Sequence, residues 1–155
     1  MIEISNEVRK LAEQSVLCWL ATSDKDGQPS VSPKEAFVCH DNIFLIANIV
    51  SPQSARNVIE NEKVCLSFLE IFTQKGYKIY GEARLIKEGD DEFEQYQAPL
   101  LEMTKGLYPF NSLFMIEPQK IQTITAPSYF LFKDTTEESQ ARKAFALYSK
   151  VFESL

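Results

Sequence analysis

Residues 51–58 of this chain read SPQSARNV, and they follow an apolar run from Ile43 to Ile49 that is typical of a β-strand. The serine and proline that open the segment suit the N-cap and the first position of a helix. Behind them, Ser54 adds a hydroxyl and Arg56 a permanent positive charge. A helix start with free N–H groups, a hydroxyl and a guanidinium has the groups that a phosphate pocket needs. An ordinary capped helix with a surface arginine is the alternative interpretation.

The composition limits the classes of function. The chain has 155 residues, 45% of them hydrophobic and 25% charged, which fits a single globular domain over residues 1–155. Its net charge of −6 disfavours a nucleic-acid or anionic-membrane surface, because such surfaces carry excess positive charge. An anionic ligand would therefore need a local basic pocket.

The ends and the cysteines point to reducing cytoplasm. The N-terminal residues lack the basic start and apolar stretch of a signal peptide, and no apolar run approaches the ~20 residues of a membrane span. Three widely spaced cysteines fit neither a disulfide framework nor a zinc motif, so no metal site is expected. Cys18 and Cys65 are interpreted as small buried hydrophobes within strands.

Apolar runs, turn residues and caps predict many short strands with a few helices. Helices are predicted over residues 5–14, 52–61 and 88–105, the last interrupted by Pro99, and a final helix from the Thr-x-x-Glu box at Thr135–Glu138. Strands are predicted over residues 16–21, 30–38, 43–48, 64–72, 77–86, 113–116 and 121–125. Hairpin turns between them favour an antiparallel, barrel-like sheet with flanking helices, and the lack of Gly-x-Gly-x-x-Gly disfavours a Rossmann domain.

The second strand is unusually polar. Alternation places Ser30, Ser32 and Lys34 on one face. Pro33 cannot donate to the ladder, so the strand should bulge there or lie at an edge of the sheet. Lys34 and Glu35 would be site residues beside a phosphate pocket, or an exposed charge pair.

The hairpin segment from Gln74 to Lys78 adds two cations and a glycine, which permits close backbone approach. A solvated hairpin is the alternative. No other catalytic set stands out. His40 is the only histidine, and no nucleophile elbow or metal-ligand cluster accompanies it.

These segments, in this order, resemble the pyridoxamine 5′-phosphate oxidase-like, FMN-binding split-barrel family. The most specific matches are Ser32-Pro33-Lys34-Glu35, Ser51-Pro52-x-Ser54-x-Arg56-Asn57 and Lys75-Gly76-Tyr77-Lys78, within a likeness that covers roughly residues 5–125. The resemblance implies a mostly β fold, a six-stranded antiparallel split barrel, with FMN in grooves between the subunits of a homodimer.

The resemblance also implies which residues bind the cofactor. The second strand would line the isoalloxazine and ribityl side, the helix would surround the phosphate, and the next hairpin would approach from the same or the partner subunit. In that order the residues are Ser32, Lys34, Glu35; Ser51, Gln53, Ser54, Arg56, Asn57; and Lys75, Gly76, Tyr77.

The likeness to the true oxidases is incomplete. Gln53 stands where a basic residue is common, and the C-terminal Trp and Arg of the oxidase substrate site have no match, since Trp19 is the only tryptophan. The resemblance therefore implies FMN binding more than pyridoxamine-phosphate oxidation. The main hypothesis is a small FMN-dependent oxidoreductase that takes electrons from a reduced nicotinamide to an unknown acceptor. The alternatives are a non-catalytic binder of flavin or another ligand such as haem or deazaflavin, and a structural domain with an empty groove. Haem is disfavoured, because the sole histidine, His40, lies far in sequence from the other site segments.

Overall fold

The computed structural model describes residues 2–155 and shows seven strands and five helices in that part of the chain. The strands are β1 (Cys18–Ser23), β2 (Pro29–Lys34), β3 (Phe37–His40), β4 (Ile43–Ala47), β5 (Lys63–Glu70), β6 (Lys75–Lys87) and β7 (Ser112–Thr125). The helices are α1 (Asn6–Gln14), α2 (Pro52–Glu60), α3 (Phe93–Thr104), α4 (Ser128–Leu131) and α5 (Glu137–Glu153).

All strands pair antiparallel in one sheet, in the order β2-β1-β5-β6-β7-β4-β3. The sheet curls into a half-barrel, as the sequence predicts for a split barrel. The long β6–β7 ladder changes register between Tyr80 and Gly81. A Cβ at Gly81 would lie 2.3 Å from the Glu117 carbonyl oxygen, so only glycine fits at this irregularity.

The structure has seven strands, where the family resemblance implied six, and two of the strand boundaries predicted from the sequence also change. The predicted strand 30–38 divides into β2 and β3 around a bend at Glu35 and Ala36. The predicted strands 113–116 and 121–125 join into the single strand β7, because its partner β6 is long enough to pair with its whole length. The chain bends after Lys34, and this bend separates β2 from β3.

Two apolar clusters lie on opposite faces of the central strands. Phe44 and Ile46 belong to the first cluster, inside the barrel and closed by α1, whereas Leu45 and Ala47 belong to the second, which α3 covers. This two-sided burial explains why β4 is an unbroken apolar run rather than an alternating one. α3 continues through Pro99, contrary to the predicted interruption.

The C-terminal segment packs on the hairpin that joins β5 to β6. The Tyr129 hydroxyl donates to the Thr73 carbonyl (2.8 Å), and the Lys75 ammonium group pairs with Glu137 (2.7 Å). α4 was not expected from the sequence. The capping box of α5 joins Thr136 and Ser139, one residue later than the predicted Thr135–Glu138 box.

Among residues 2–155, no helix has the length and apolarity that a membrane span requires.

Candidate functional site

The start of α2 forms the centre of the candidate site. The chain reaches it through a tight turn after β4, in which Val50 has a positive φ of 50°. Pro52 opens the helix, as predicted, but the Ser51 side chain caps none of its N–H groups. The Ser51 hydroxyl instead donates to the Ile49 carbonyl (3.3 Å) and accepts from Lys34. The N–H groups of the first turn are therefore not occupied by their own N-cap side chain.

Lys34 is a buried cation at this helix start. It ends the edge strand β2, faces the barrel interior and is only 6% exposed, while Pro33 beside it points outward. Its ammonium group contacts Ser51 and lies 5.6 Å from the centre of the Phe114 ring. No carboxylate among residues 2–155 forms an ion pair with it. Burial lowers the pKa of Lys34, because removal from water disfavours the charged form.

A second contact joins β2 to α2. The hydroxyls of Ser32 and Ser54 lie 3.2 Å apart, and Ser54 is buried. The alternation predicted for the second strand is confirmed, because Ser30, Ser32 and Lys34 are more buried than the residues between them. The prediction that Pro33 lies at an edge is also confirmed. Alternation along β2 thus turns three polar side chains toward the interior and two of them toward α2.

A chain of hydrogen bonds extends from β1 to the surface of α2. Asn57 donates through Nδ2 to the Thr22 hydroxyl (2.9 Å) and accepts at Oδ1 from Gln53 (2.8 Å). Gln53 in turn accepts at Oε1 from the Arg56 guanidinium (2.8 Å). Sequence reasoning did not single out Thr22. The β1–β2 hairpin pairs it with Ser30, so extending the polar face across the predicted hairpin would have found it.

Three predicted site residues lie away from α2. Lys75 pairs with Glu137 and lies 4.9 Å from the centre of the Tyr129 ring, and the hydrogen bond that its ammonium group donates to Glu137 raises the pKa of Lys75. Tyr77 is buried in the barrel core. Gly76 leaves no room for a side chain, since a Cβ would lie 2.0 Å from the Phe68 carbonyl oxygen. Within residues 2–155, no hydrogen bond or ion pair joins these three residues to α2.

A cleft of about 610 Å³ opens beside Lys34. One wall comes from the bend after β2 and the end of β4, and the other from the C-terminal end of α3 and the loop after it. Glu35, the remaining predicted residue, is exposed and lines this cleft. The walls include Ala47, Ile49, Met103, Leu107 and Tyr108. Apolar walls with a few polar groups at one end are typical of a small-molecule site.

Other reactive side chains do not form a catalytic set. Burial raises the pKa of the Cys39 thiol to about 11 and that of Cys18 further, so both remain neutral thiols at neutral pH. His40 Nε2 lies 3.6 Å from an Asp41 carboxylate oxygen at the exposed turn between β3 and β4. No group of His, Cys, Asp or Glu within residues 2–155 is arranged to hold a metal ion.

Comparisons with known proteins agree with this architecture. The family model described as pyridoxamine 5′-phosphate oxidase matches residues 4–142. HupZ from Group A Streptococcus is 23% identical, with a TM-score of 0.66 over 79% of this chain and 98% of that chain. HutZ, the haem storage protein from Vibrio cholerae, is 20% identical, with a TM-score of 0.63 over 79% of this chain and 96% of that chain.

An FMN-binding protein from Syntrophomonas wolfei is 17% identical to this chain. Its TM-score is 0.63, over 77% of this chain and 84% of that chain. Comparison with curated protein sequences found no match. At these identities the structural likenesses establish the fold alone.

Proposed function

Because the chain belongs to the pyridoxamine 5′-phosphate oxidase family, we propose that it is an FMN-binding flavoprotein that acts as a small oxidoreductase. FMN, when bound, supplies the electron transfer between a reduced nicotinamide and an organic acceptor, and the protein binds and orients it. The family match supports the fold, and the residues around α2 support the choice of cofactor.

The observation that carries the proposal is the environment of Lys34. A buried ammonium group without an anionic partner is costly, because it loses hydration and gains no counter-charge. Its contact with Ser51 holds it at the uncapped start of α2, where the helix dipole also favours an anion. A phosphate at this position would supply the missing negative charge, and its oxygens would accept hydrogen bonds from the free N–H groups of the first turn.

The remaining predicted residues then divide between the two ends of the cofactor. Ser51, Gln53, Ser54 and Arg56 would surround the phosphate, with Lys34 beneath it. Ser32 and Glu35 would lie along the ribityl chain and the ring, which suits the apolar cleft between the end of β4 and α3. In this arrangement the ammonium group of Lys34 would lie nearer to the phosphate end than the resemblance implied, because it contacts Ser51.

We also propose a homodimer, in which the β5–β6 hairpin of a second copy approaches the bound flavin. This arrangement would explain why no hydrogen bond or ion pair joins Lys75, Gly76 or Tyr77 to α2 of the same protomer: these residues would instead contact the flavin bound by the second copy. The packing of Gly76 against the backbone of β5 fixes the path of this hairpin.

The test is a titration of the FMN-free protein with FMN, followed by the quenching of flavin fluorescence. We expect Lys34→Ala to weaken FMN binding by roughly 10-fold or more, because it removes a charge-assisted hydrogen bond. Lys63→Ala is the matched control, since Lys63 is an exposed lysine at the start of β5. Equal affinity in the two variants would contradict the proposed phosphate site.

Catalysis is tested on the flavin-loaded protein. Bleaching of the flavin absorbance by NADH or NADPH, with recovery on adding an acceptor, supports the oxidoreductase. A bound flavin that no reduced nicotinamide bleaches indicates the alternative function, a non-catalytic flavin binder. A protein that takes up haem but no FMN would contradict the proposal and would extend the likeness to HutZ from fold to ligand.

A further inference from the structure

The hydrogen-bond chain from Arg56 to Thr22 has only one consistent direction. A guanidinium can only donate, so Gln53 must present its oxygen to Arg56 and its NH₂ group to Asn57. Asn57 must then present its oxygen to Gln53 and its own NH₂ group to Thr22. The charge on Arg56 thus fixes the orientation of both amides, and the chain ends on the hydroxyl of a buried strand residue.

Asn57 occupies the buried part of this chain. It is only 1% exposed and lies between α2 and β1, whereas Arg56 and Gln53 are exposed. A side chain buried to this extent and bonded through both its amide oxygen and its amide nitrogen is shielded from a ligand at the helix surface. It can act on a ligand only through Gln53, and through Gln53 only on Arg56.

We propose that Asn57 is a positioning residue that makes this site selective for a ligand with a terminal phosphate. By holding Gln53, it holds the guanidinium of Arg56 beside the first turn of α2. This inference rests on the proposed FMN site and changes the role that the family resemblance gave to Asn57, from cofactor contact to support of Arg56.

The physical reason is preorganisation. An exposed arginine samples many rotamers, and ordering it on binding costs part of the free energy that its phosphate contact supplies. The bond from Gln53 orders the side chain before the ligand arrives and uses only one of its five N–H donors. The remaining donors can meet a phosphate in a forked, charge-assisted arrangement.

The test compares the affinities of FMN and riboflavin, which share the ring and the ribityl chain and differ only in the phosphate. The ratio of the two dissociation constants isolates the phosphate contribution. We expect the wild-type protein to prefer FMN by roughly 100-fold and Arg56→Ala to lose about 10-fold or more of that preference. Asn57→Ala should lower the preference by about 3- to 10-fold, with riboflavin affinity unchanged.

The chain offers a matched control one helical turn away. Asn61 donates to the Ser23 hydroxyl (2.8 Å) and so also ties α2 to β1, but it has no bond to Gln53 or Arg56. Asn61→Ala should keep the wild-type ratio. Thr22→Val removes the buried acceptor while leaving Asn57 in place, so it should lower the ratio even if Asn57→Ala does not fold.

Each result supports or overturns the inference. In the double variant Asn57→Ala with Arg56→Ala, the ratio should match that of Arg56→Ala alone, because Asn57 acts only through Arg56. A wild-type ratio in both Asn57→Ala and Thr22→Val would overturn this inference and leave the FMN site standing. An equal loss in Asn61→Ala would show general loosening of α2 and would also overturn it. A wild-type protein that does not prefer FMN would overturn the proposed function as well.

Discussion

At the scale of single residues, Lys34 shows how stability and binding oppose each other. Its ammonium group is buried beside a hydroxyl and an aromatic ring, with no carboxylate of residues 2–155 paired to it. Such a group destabilises the ligand-free fold, because the charge is better solvated in the unfolded chain. The same group stabilises a complex with an anion, since the counter-charge is then supplied by the ligand.

The pH dependence of stability tests this account. Burial lowers the pKa of Lys34 in the folded protein, so over the interval up to the ordinary lysine pKa the unfolded chain binds more protons and stability rises with pH. Lys34→Met removes this dependence. We expect the FMN-free variant to be more stable than the wild type at about pH 7, with the gap narrowing toward about pH 10. Urea unfolding of both proteins at the two pH values measures this difference in the free energy of unfolding.

A gap that stays constant or widens with rising pH would contradict this prediction. Excess FMN provides the control, because it should stabilise the wild type more than Lys34→Met if the phosphate is the missing partner of the ammonium group.

At the scale of elements, α5 shows how a cap sets the start of a helix. The sequence offers two neighbouring threonines, and the structure uses Thr136, which accepts from the N–H of Ser139 while Ser139 accepts from the N–H of Thr136. The ion pair between Lys75 and Glu137, in the first turn, fixes the helix to the β5–β6 hairpin. The helix therefore begins at the second of two neighbouring threonines, and its first turn contacts the β5–β6 hairpin.

A pair of substitutions separates the two threonines. Thr136→Ala should lower the free energy of unfolding by about 1 kcal/mol, because the N–H of Ser139 loses the hydroxyl that accepts its hydrogen bond. Thr135→Ala leaves the box intact and should stay within about 0.5 kcal/mol of the wild type. Thermal or urea unfolding of the two variants decides between the two capping boxes. If Thr135→Ala were the more destabilising variant, the capping box would be Thr135–Glu138, as predicted from the sequence.

At the scale of the whole molecule, the outer face of the sheet carries exposed apolar side chains. Trp19 is 46% exposed, Val31 59% and Tyr80 37%. The strand register places all three on the same face. Val31, Ala21, Cys65 and Tyr80 are paired neighbours across β2, β1, β5 and β6. Trp19 lies two residues before Ala21 on β1, so its side chain is on that face as well. An apolar face of this kind supports the proposed homodimer. The exposed side of α5 is the competing surface, with Phe145 and Val151.

Two valine-to-glutamate variants discriminate between these surfaces. At a two-fold interface Val31→Glu would bring buried like charges together, which costs several kcal/mol, so we expect a monomer in sedimentation analysis. Val151→Glu adds the same charge on α5 and should leave the dimer intact. A monomeric Val151→Glu with a dimeric Val31→Glu would move the interface to α5, and a monomeric wild type would contradict the homodimer.

The sequence by itself determined most of the helices and strands, though not α4, the break between β2 and β3 or the full length of β7, and it determined the parts of the site that are local. Alternation placed Ser32 and Lys34 on one face, and Pro33 predicted an edge strand, because both signals depend only on neighbouring residues. Ser51 before α2 and Pro52 at its first position marked the start of the helix for the same reason. The ordered motifs were sufficient to identify the family.

Only the tertiary structure decided what the site residues touch. The pairing of β2 with β1 brings Thr22 within reach of Asn57, and the curl of the sheet brings Lys34 to Ser51. It also separates Lys75 from α2 by pairing it with Glu137 on the C-terminal helix. These contacts join residues far apart in the chain, so they follow from strand register and packing, which no local pattern of residues specifies.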